Sequence, residues 1–458
     1  MNQRFPSSDI FVESSAVNLL DSLALTSAHQ PAVNSDAKDA SSPSIPRLQV
    51  LVIDEEPPFP LNSGKRIRTW NLLCRLAKRH QITFLCHRGD DQAAEKLESA
   101  GMKVVQVEAL APYRGLSLYA RLLFNLFSPF PYSVAKHYTR RFRKELSNLL
   151  SMGDFDLLHC EWTPYARYLR SVGDIPSVVS AHNIESQIWR RRAERSPGML
   201  SRMFFGMQAW KMQRFERSAL SRCSSVTAVS DLDVQQFKAW GIHSAQSVEN
   251  GVDIDFFSTP QTIAASPLEV LFVGSLDWFP NHDAVRFFVE EIFPLIKMQK
   301  PAARLTVVGR RAPESLASWM RRQEGVTLLS EVPDVRPCYT RAALAIVPLR
   351  IGGGTRIKIL EAMSMGKPVV STSIGAEGLA VKDGTHVLIA DTPAEFARAA
   401  VSLMSSEELC RKIGQNGRKL VLERYSWDRI ASHQEQVWLA AASQESAAKQ
   451  PAHAAYSH

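Results

Sequence analysis

Short apolar runs rich in Val, Ile and Leu alternate along most of the chain with longer stretches in which apolar positions recur every third or fourth residue. LQVLVID is followed by a helical pattern from Lys65, ITFLC by another that ends near Ala100, and KVVQV by further helices. A second series begins at LEVLFVG, residues 268 to 274, and continues through RLTVVG, VTLL, AALAIVP, PVVS and HVLIA, each followed by a loop or helix. This alternation is the mark of βαβ units and a parallel sheet. The expected fold class is α/β, with two Rossmann-like doubly wound domains at 48–249 and 268–426. Residues 250–267, NGVDIDFFSTPQTIAASP, place Gly, Pro and Ser between them and read as a linker. A last helical pattern, 427–445, follows the second domain and is free to cross back to the first. Residues 1–47, rich in Ser, Ala, Asp and Pro, and the tail 446–458 lack sustained periodicity and are expected to be disordered.

Composition changes this picture little. A chain of 458 residues with a formal charge of +8 can bury more than one core, and suits an anionic ligand, nucleic acid or an anionic membrane surface. No recognition motif accompanies the charge, so nucleic acid is not expected as a partner. Six scattered cysteines contain no Cys-x-x-Cys pair, which suggests neither a zinc site nor a disulfide framework and fits a reducing compartment. The apolar stretch AVNLLDSLALT is interrupted by Asp21 and lacks a preceding basic cluster, so it is a poor signal peptide. No segment approaches the roughly twenty apolar residues of a membrane span. A cytoplasmic protein is expected.

In open α/β sheets, ligands bind beyond the carboxyl ends of the strands, where Gly-rich turns and helix N-termini approach an anion. IGGGTRIKILEAMSMGKPVVST, residues 351 to 372, lies at such a place, after AALAIVPLR. Gly352, Gly353 and Gly354 with Thr355 allow close approach of a ligand, while Arg356 and Lys358 open a helix whose dipole disfavours cations there. An anion would reconcile them. The plainer reading of Lys358 and Glu361, three residues apart, is a surface ion pair.

Several segments together resemble family 4 glycosyltransferases, which have the two-domain GT-B fold. They are PPFPLNSGKRIRTWNLL, SAHNIES, VENGVD, FVGSLDWFPN and GGGTRIKILEAMSMGKPVVSTSIGAEGL, and the likeness covers nearly all of residues 48–445. It implies transfer of a sugar from a nucleotide-diphosphate donor with retention of configuration, with no metal and no separate cofactor. It also implies a glycan or lipid-linked acceptor in polysaccharide biosynthesis. By the same likeness Glu361 holds the ribose hydroxyls, cations near the loop neutralise the diphosphate, and the glycines bring backbone N–H groups to sugar and phosphate. Asn62, Ser63 and Gly64 reach the diphosphate from the first domain, and His182 touches the donor sugar. Gly274 belongs to the donor site, and Val332 and Pro333 pass near the base.

Two departures stand out. Most relatives carry two glutamates eight positions apart, and here Gly353 occupies the first position. Ser275 follows Gly274 where relatives often place an Arg, and no nearby Lys follows, so Arg356 and Lys358 become the expected charge neutralisers. The Asp154/Asp156, Asp231/Asp233 and Asp253/Asp255 strings fit strand, helix-start and linker positions better than a metal site. Residues 113–147 interleave Leu and Phe with Arg114, Arg121, Lys136, Arg140, Arg141, Arg143 and Lys144. This segment suits either docking at the inner face of an anionic membrane or an amphipathic helix packed on the first domain. A nucleotide-sugar epimerase on the same fold and a catalytically silent sugar-binding scaffold are the competing functions. A Rossmann dehydrogenase is excluded, because no Gly-x-Gly-x-x-Gly follows the first strand.

Overall fold

The computed structural model describes residues 46–449 apart from 62, 90, 109–114, 197, 259–265 and 352–355. The first sheet contains β1 (Gln49–Ile53), β2 (Gln81–His87), β3 (Lys103–Val107), β4 (Leu157–Cys160), β5 (Ser177–Ala181), β6 (Ser225–Ala228) and β7 (Ala245–Ser247). These strands are parallel and lie in the order β3-β2-β1-β4-β5-β6-β7. The second contains β8 (Glu269–Val273), β9 (Arg304–Val308), β10 (Val326–Leu329), β11 (Leu344–Val347), β12 (Val369–Ser371) and β13 (Leu388–Ile389). It too is parallel, in the order β10-β9-β8-β11-β12-β13. Strand order reverses between β1 and β4 and again between β8 and β11. Those two reversals open crevices at the strand ends where a doubly wound sheet takes its ligand.

The central strands are buried on both faces, as their unbroken apolar runs require. Leu51, Leu158, Val179 and Val226 bury one face of the first sheet with Phe142, Tyr165 and Phe215. Val270, Val307, Ile346 and Val370 build the core of the second with Phe288, Leu360 and Phe396. The other face of the first sheet is completed from far along the chain. The helix Trp427–Lys449 returns to it and packs Trp427, Ile430, Val437 and Trp438 against Leu48, Val50, Leu72 and Val178. Polar ties hold this return: Arg75 to Asp428 at 2.8 Å, His80 to Glu435 at 2.9 Å, and Trp438 Nε1 to His159 Nδ1 at 3.0 Å.

The described part of the 113–147 segment falls in three helices rather than one. Arg140–Met152 is amphipathic, burying Phe142 and Leu146 while Arg141 pairs with Glu108 on the solvent side. Tyr132–His137 is short, and Leu116–Leu126 buries only Asn125. Asp156 accepts from the Gln49 amide at 2.7 Å, Ser230 caps the helix Asp231–Ala239, and Asp253 accepts from the Asp255 and Phe256 amides. All three Asp-x-Asp strings are thus engaged with backbone or helix starts.

Candidate active site

At the β1 end the chain runs through Asp54, Glu55 and Glu56 to Ser63, whose hydroxyl caps the helix Gly64–Leu76 by accepting from the Arg66 amide at 3.4 Å. Asn62 lies outside the described residues. The cations that open this helix already have acidic or carbonyl partners. Lys65 Nζ meets Asp54 at 2.6 Å and Glu55 at 3.0 Å, Arg66 Nε meets Glu56 at 2.9 Å, and the buried Arg68 donates to the Glu249 carbonyl. Burial, with Lys65 opposing it, leaves Asp54 titrating at about 7, and burial brings Arg68 down to about 10. The positive potential expected from Lys65, Arg66 and Arg68 is therefore largely cancelled within the first domain.

Across the switch point, Glu161 follows β4 and His182 follows β5, and the two meet. His182 Nε2 donates to the Glu161 carbonyl at 2.7 Å and lies 3.4 Å from its carboxylate. His159 Nε2 lies 3.2 Å from the other carboxylate oxygen, and the Thr69 hydroxyl donates at 3.2 Å. Burial alone would raise the Glu161 carboxyl, but hydrogen bonds from the two imidazoles outweigh it and hold the group well below the usual carboxylate range. Burial keeps His182 below the ordinary imidazole value, with Glu161 opposing. Nε2 faces two acceptors and must carry the proton, so the neutral ring presents a lone pair at Nδ1, a buried atom without a hydrogen-bond partner. The relay begins in the returning helix, where Trp438 donates to His159 Nδ1 and so fixes that ring's tautomer as well.

On the second sheet Gly274 directly follows β8, and Lys358 and Glu361 lie on the helix Ile357–Ser364 after β11. A Cβ on Gly274 would stand 2.8 Å from Lys358 Nζ and 3.0 Å from Asn281 Nδ2, so glycine is what lets the ammonium approach the strand end. Lys358 Nζ donates to Asn281 Oδ1 at 2.7 Å and sits 4.7 Å from the centre of the Phe272 ring. Glu361 accepts from the Tyr339 hydroxyl at 3.2 Å. The two charges therefore turn to different partners instead of forming the surface pair that their spacing permits. Burial brings Lys358 down to about 7, with Arg356 adding to the effect, and burial pushes Glu361 up to about 7. Both groups exchange protons near neutrality.

Arg356 stands at the N-cap of the same helix but turns elsewhere, donating to the Ile374 carbonyl at 2.8 Å and pairing with Glu377 at 3.3 Å. It borders a cavity of ≈ 440 Å³ between the domains, with Asn183, Arg191, Asp233, Asn250 and Glu377 on its walls. Gly378 (φ +83°) closes that contact: a Cβ there would lie 2.8 Å from the Ser230 Cβ of the first domain. Val332 packs partly on the second core and Pro333 is exposed, both in the loop after β10. Gly352, Gly353, Gly354 and Thr355 lie outside the described residues. No group of three or more His, Cys, Asp or Glu side chains with metal-holding geometry occurs among the described residues.

Three features escaped the sequence reading. Arg310, directly after β9, donates from Nε to Ser275 Oγ at 3.0 Å and so stands beside the position that lacks an arginine. Its signal was present in GRR, at a strand end. Glu161, in HCEW, also ends a strand, but nothing local shows that two imidazoles converge on it. Glu249, whose carbonyl takes Arg68, is bound through its carboxylate by Arg424 at 2.6 Å, which ties the linker start to the end of the second domain.

Comparison with known proteins fits this geometry. The model for Glycosyltransferase Family 4 matches residues 63–256, and that for Glycosyl transferases group 1 matches residues 267–406. An uncharacterized 44.6 kDa protein in the cps region of Klebsiella pneumoniae is 26% identical over 170 residues, 36% of this chain and 44% of that protein. The phosphatidyl-myo-inositol mannosyltransferase of Mycobacterium leprae is 27% identical over 357 residues, covering 74% of this chain and 89% of the relative. Among solved structures, Anabaena Alr3699/HepE in complex with UDP and glucose superposes with a TM-score of 0.60 at 16% identity, over 85% of this chain and 99% of that one. Sucrose-phosphate synthase from Thermosynechococcus elongatus superposes with a TM-score of 0.65 at 16% identity, over 88% and 100%.

Proposed function

The chain belongs to the family 4, group 1 glycosyltransferases with the GT-B fold, and from that premise we propose that it transfers a hexosyl unit from a nucleotide-diphosphate sugar, with retention, to a glycan or lipid-linked acceptor. The observation that carries the donor assignment is the pairing of Lys358 with Gly274 at a strand-order reversal, one helical turn from Glu361. In this reading Lys358 meets the diphosphate and Glu361 the ribose hydroxyls, with Arg356 at the same helix start. By the family resemblance Gly352, Gly353, Gly354 and Thr355 bind the sugar and phosphate, and Asn62, Ser63 and Gly64 bind the diphosphate. Val332 and Pro333 border the base. The complex of Anabaena HepE with UDP and glucose supports a nucleotide-sugar donor, and the phosphatidyl-myo-inositol mannosyltransferase relative supports a lipid-linked acceptor.

In the reaction the acceptor oxygen bonds to the anomeric carbon on the face from which the diphosphate leaves. The carbon–oxygen bond to the phosphate breaks, and the acceptor proton passes to the departing phosphate oxygen. No protein base is needed for that step. His182 holds the donor sugar through Nδ1, and the cations stabilise charge that grows on the leaving group. Incubation with a panel of nucleotide sugars tests the reading. Slow release of nucleoside diphosphate, faster with acceptor, is the expected result. Isomerised donor would instead identify an epimerase, and donor binding without turnover a silent scaffold.

A further inference from the structure

The helix Leu116–Leu126 is apolar on nearly every side, yet it is barely packed. Leu116 is 88% exposed, Tyr119 63%, Leu123 59%, Phe124 75%, and Phe127, just beyond its end, 86%. Its C-terminal end is anchored to a neighbouring helix. Gln208 donates to Asn125 Oδ1 at 2.9 Å, and Lys211 Nζ donates to the Asn125 and Leu126 carbonyls at 2.7 and 3.0 Å. These bonds fasten the helix to Met199–Leu220, whose first turns also expose Met199, Leu200 and Met203. A surface of this kind on a protein with a normal hydrophobic core marks an interaction site.

We propose that the Leu116–Leu126 helix, with Phe127 and the first turns of Met199–Leu220, docks the protein on an anionic phospholipid bilayer. Charge selects this occupant. The Leu116–Leu126 helix contains no acidic residue, and the one acid of Met199–Leu220, Glu216, is buried. The exposed charges on the two helices are Arg121, Arg202, Arg214 and Arg217. On these two helices apolar side chains are flanked by arginines and no carboxylate is exposed, which matches acyl chains beneath anionic headgroups. A protein partner would need no such absence of acids. The apolar helix, not the amphipathic Arg140–Met152, is the inserting element, because the latter already buries Phe142 and Leu146 in the core. No described helix is long and apolar enough to cross a membrane, so attachment is at the surface.

Flotation of the full chain with vesicles of phosphatidylcholine and phosphatidylglycerol in equal parts, against phosphatidylcholine alone, tests the proposal without reference to the reaction. Wild type should float with the anionic vesicles. Leu123→Glu with Phe124→Glu should lower partitioning by about tenfold or more. Leu116→Ser with Phe127→Ser should repeat the loss, with circular dichroism and melting temperature unchanged in both variants because these side chains are exposed. Three results would overturn the proposal. They are wild type that ignores anionic vesicles, double variants that float like wild type, and a wild-type dimer that the variants dissociate without any vesicle binding.

Discussion

Donor affinity should depend on pH through two neighbouring side chains, with opposite signs. In the free protein Lys358 titrates at about 7 against an ordinary value of 10.5, because burial disfavours its charge. A bound diphosphate supplies the missing negative charge and returns the ammonium toward its ordinary range. Above pH 7, binding must therefore take up a proton, and affinity falls by up to tenfold for each pH unit, about 100-fold by pH 9. Glu361, pushed up to about 7 by burial, must be ionised to accept from ribose hydroxyls. Below pH 7 binding must release that proton, and affinity falls again on the acid side. Lys358→Met removes a charge-assisted contact of about 1.5–3 kcal/mol, so near pH 7 it should bind roughly 10- to 150-fold more weakly. Near pH 9 it should converge with wild type, whose lysine is then neutral. An intact nucleotide sugar is the ligand to use, since its diphosphate diester has no proton to exchange near neutrality. Calorimetry in two buffers of different ionisation enthalpy counts the protons: uptake that peaks near pH 8 and fades toward pH 9 in wild type, and none in Lys358→Met over that range. Equal uptake in both proteins would refute the assignment of Lys358 to the diphosphate.

Glu161→Gln should lower kcat by about 100-fold while nucleoside diphosphate affinity changes little, because one amide oxygen cannot accept from both imidazoles and His182 is left misplaced. Steady-state kinetics beside calorimetry would expose a purely structural role as an equal loss in both. Gly378→Ala, at φ +83° and against Ser230, should cost about 1–2 kcal/mol and loosen the domain contact, read as a lower melting temperature and a larger radius of gyration in X-ray scattering. Arg356→Ala, if Arg356 acts on the leaving group, should lower turnover even at saturating donor; full recovery of kcat there would confine it to ground-state binding.

The strands were legible because a doubly wound sheet writes each central strand as an unbroken apolar run, and β8 through β13 fall where LEVLFVG to HVLIA lie. Strand ends were therefore legible too, so local pattern puts Gly274, His182 and the Lys358–Glu361 turn beside them, while the roles proposed for these residues come from the family resemblance. Partners distant in sequence could not. Lys358 meets Asn281 and Arg68 meets Glu249 through packing between elements, and no spacing rule links such positions. In sequence the 113–147 segment suits either membrane docking or an amphipathic helix, because its Leu, Phe and Arg residues interleave throughout. Only packing separates the helix that buries Phe142 from the one that leaves Phe124 exposed.

The returning helix has a consequence for how the protein comes into being. Leu48 and Val50 leave the ribosome before the second domain is made, but Trp427, Ile430 and Trp438, which cover them, leave it only after that domain. A nascent chain with its first sheet complete would still expose that apolar face through the synthesis of the whole second domain. Ribosome-arrested chains ending at Tyr425 should accordingly be cut by protease within the first sheet, and chains released at full length should resist; equal resistance would show that the first domain matures alone. Because Trp438 also fixes the tautomer of His159, and through Glu161 the ring of His182, catalytic competence would arrive only once the returning helix has been made.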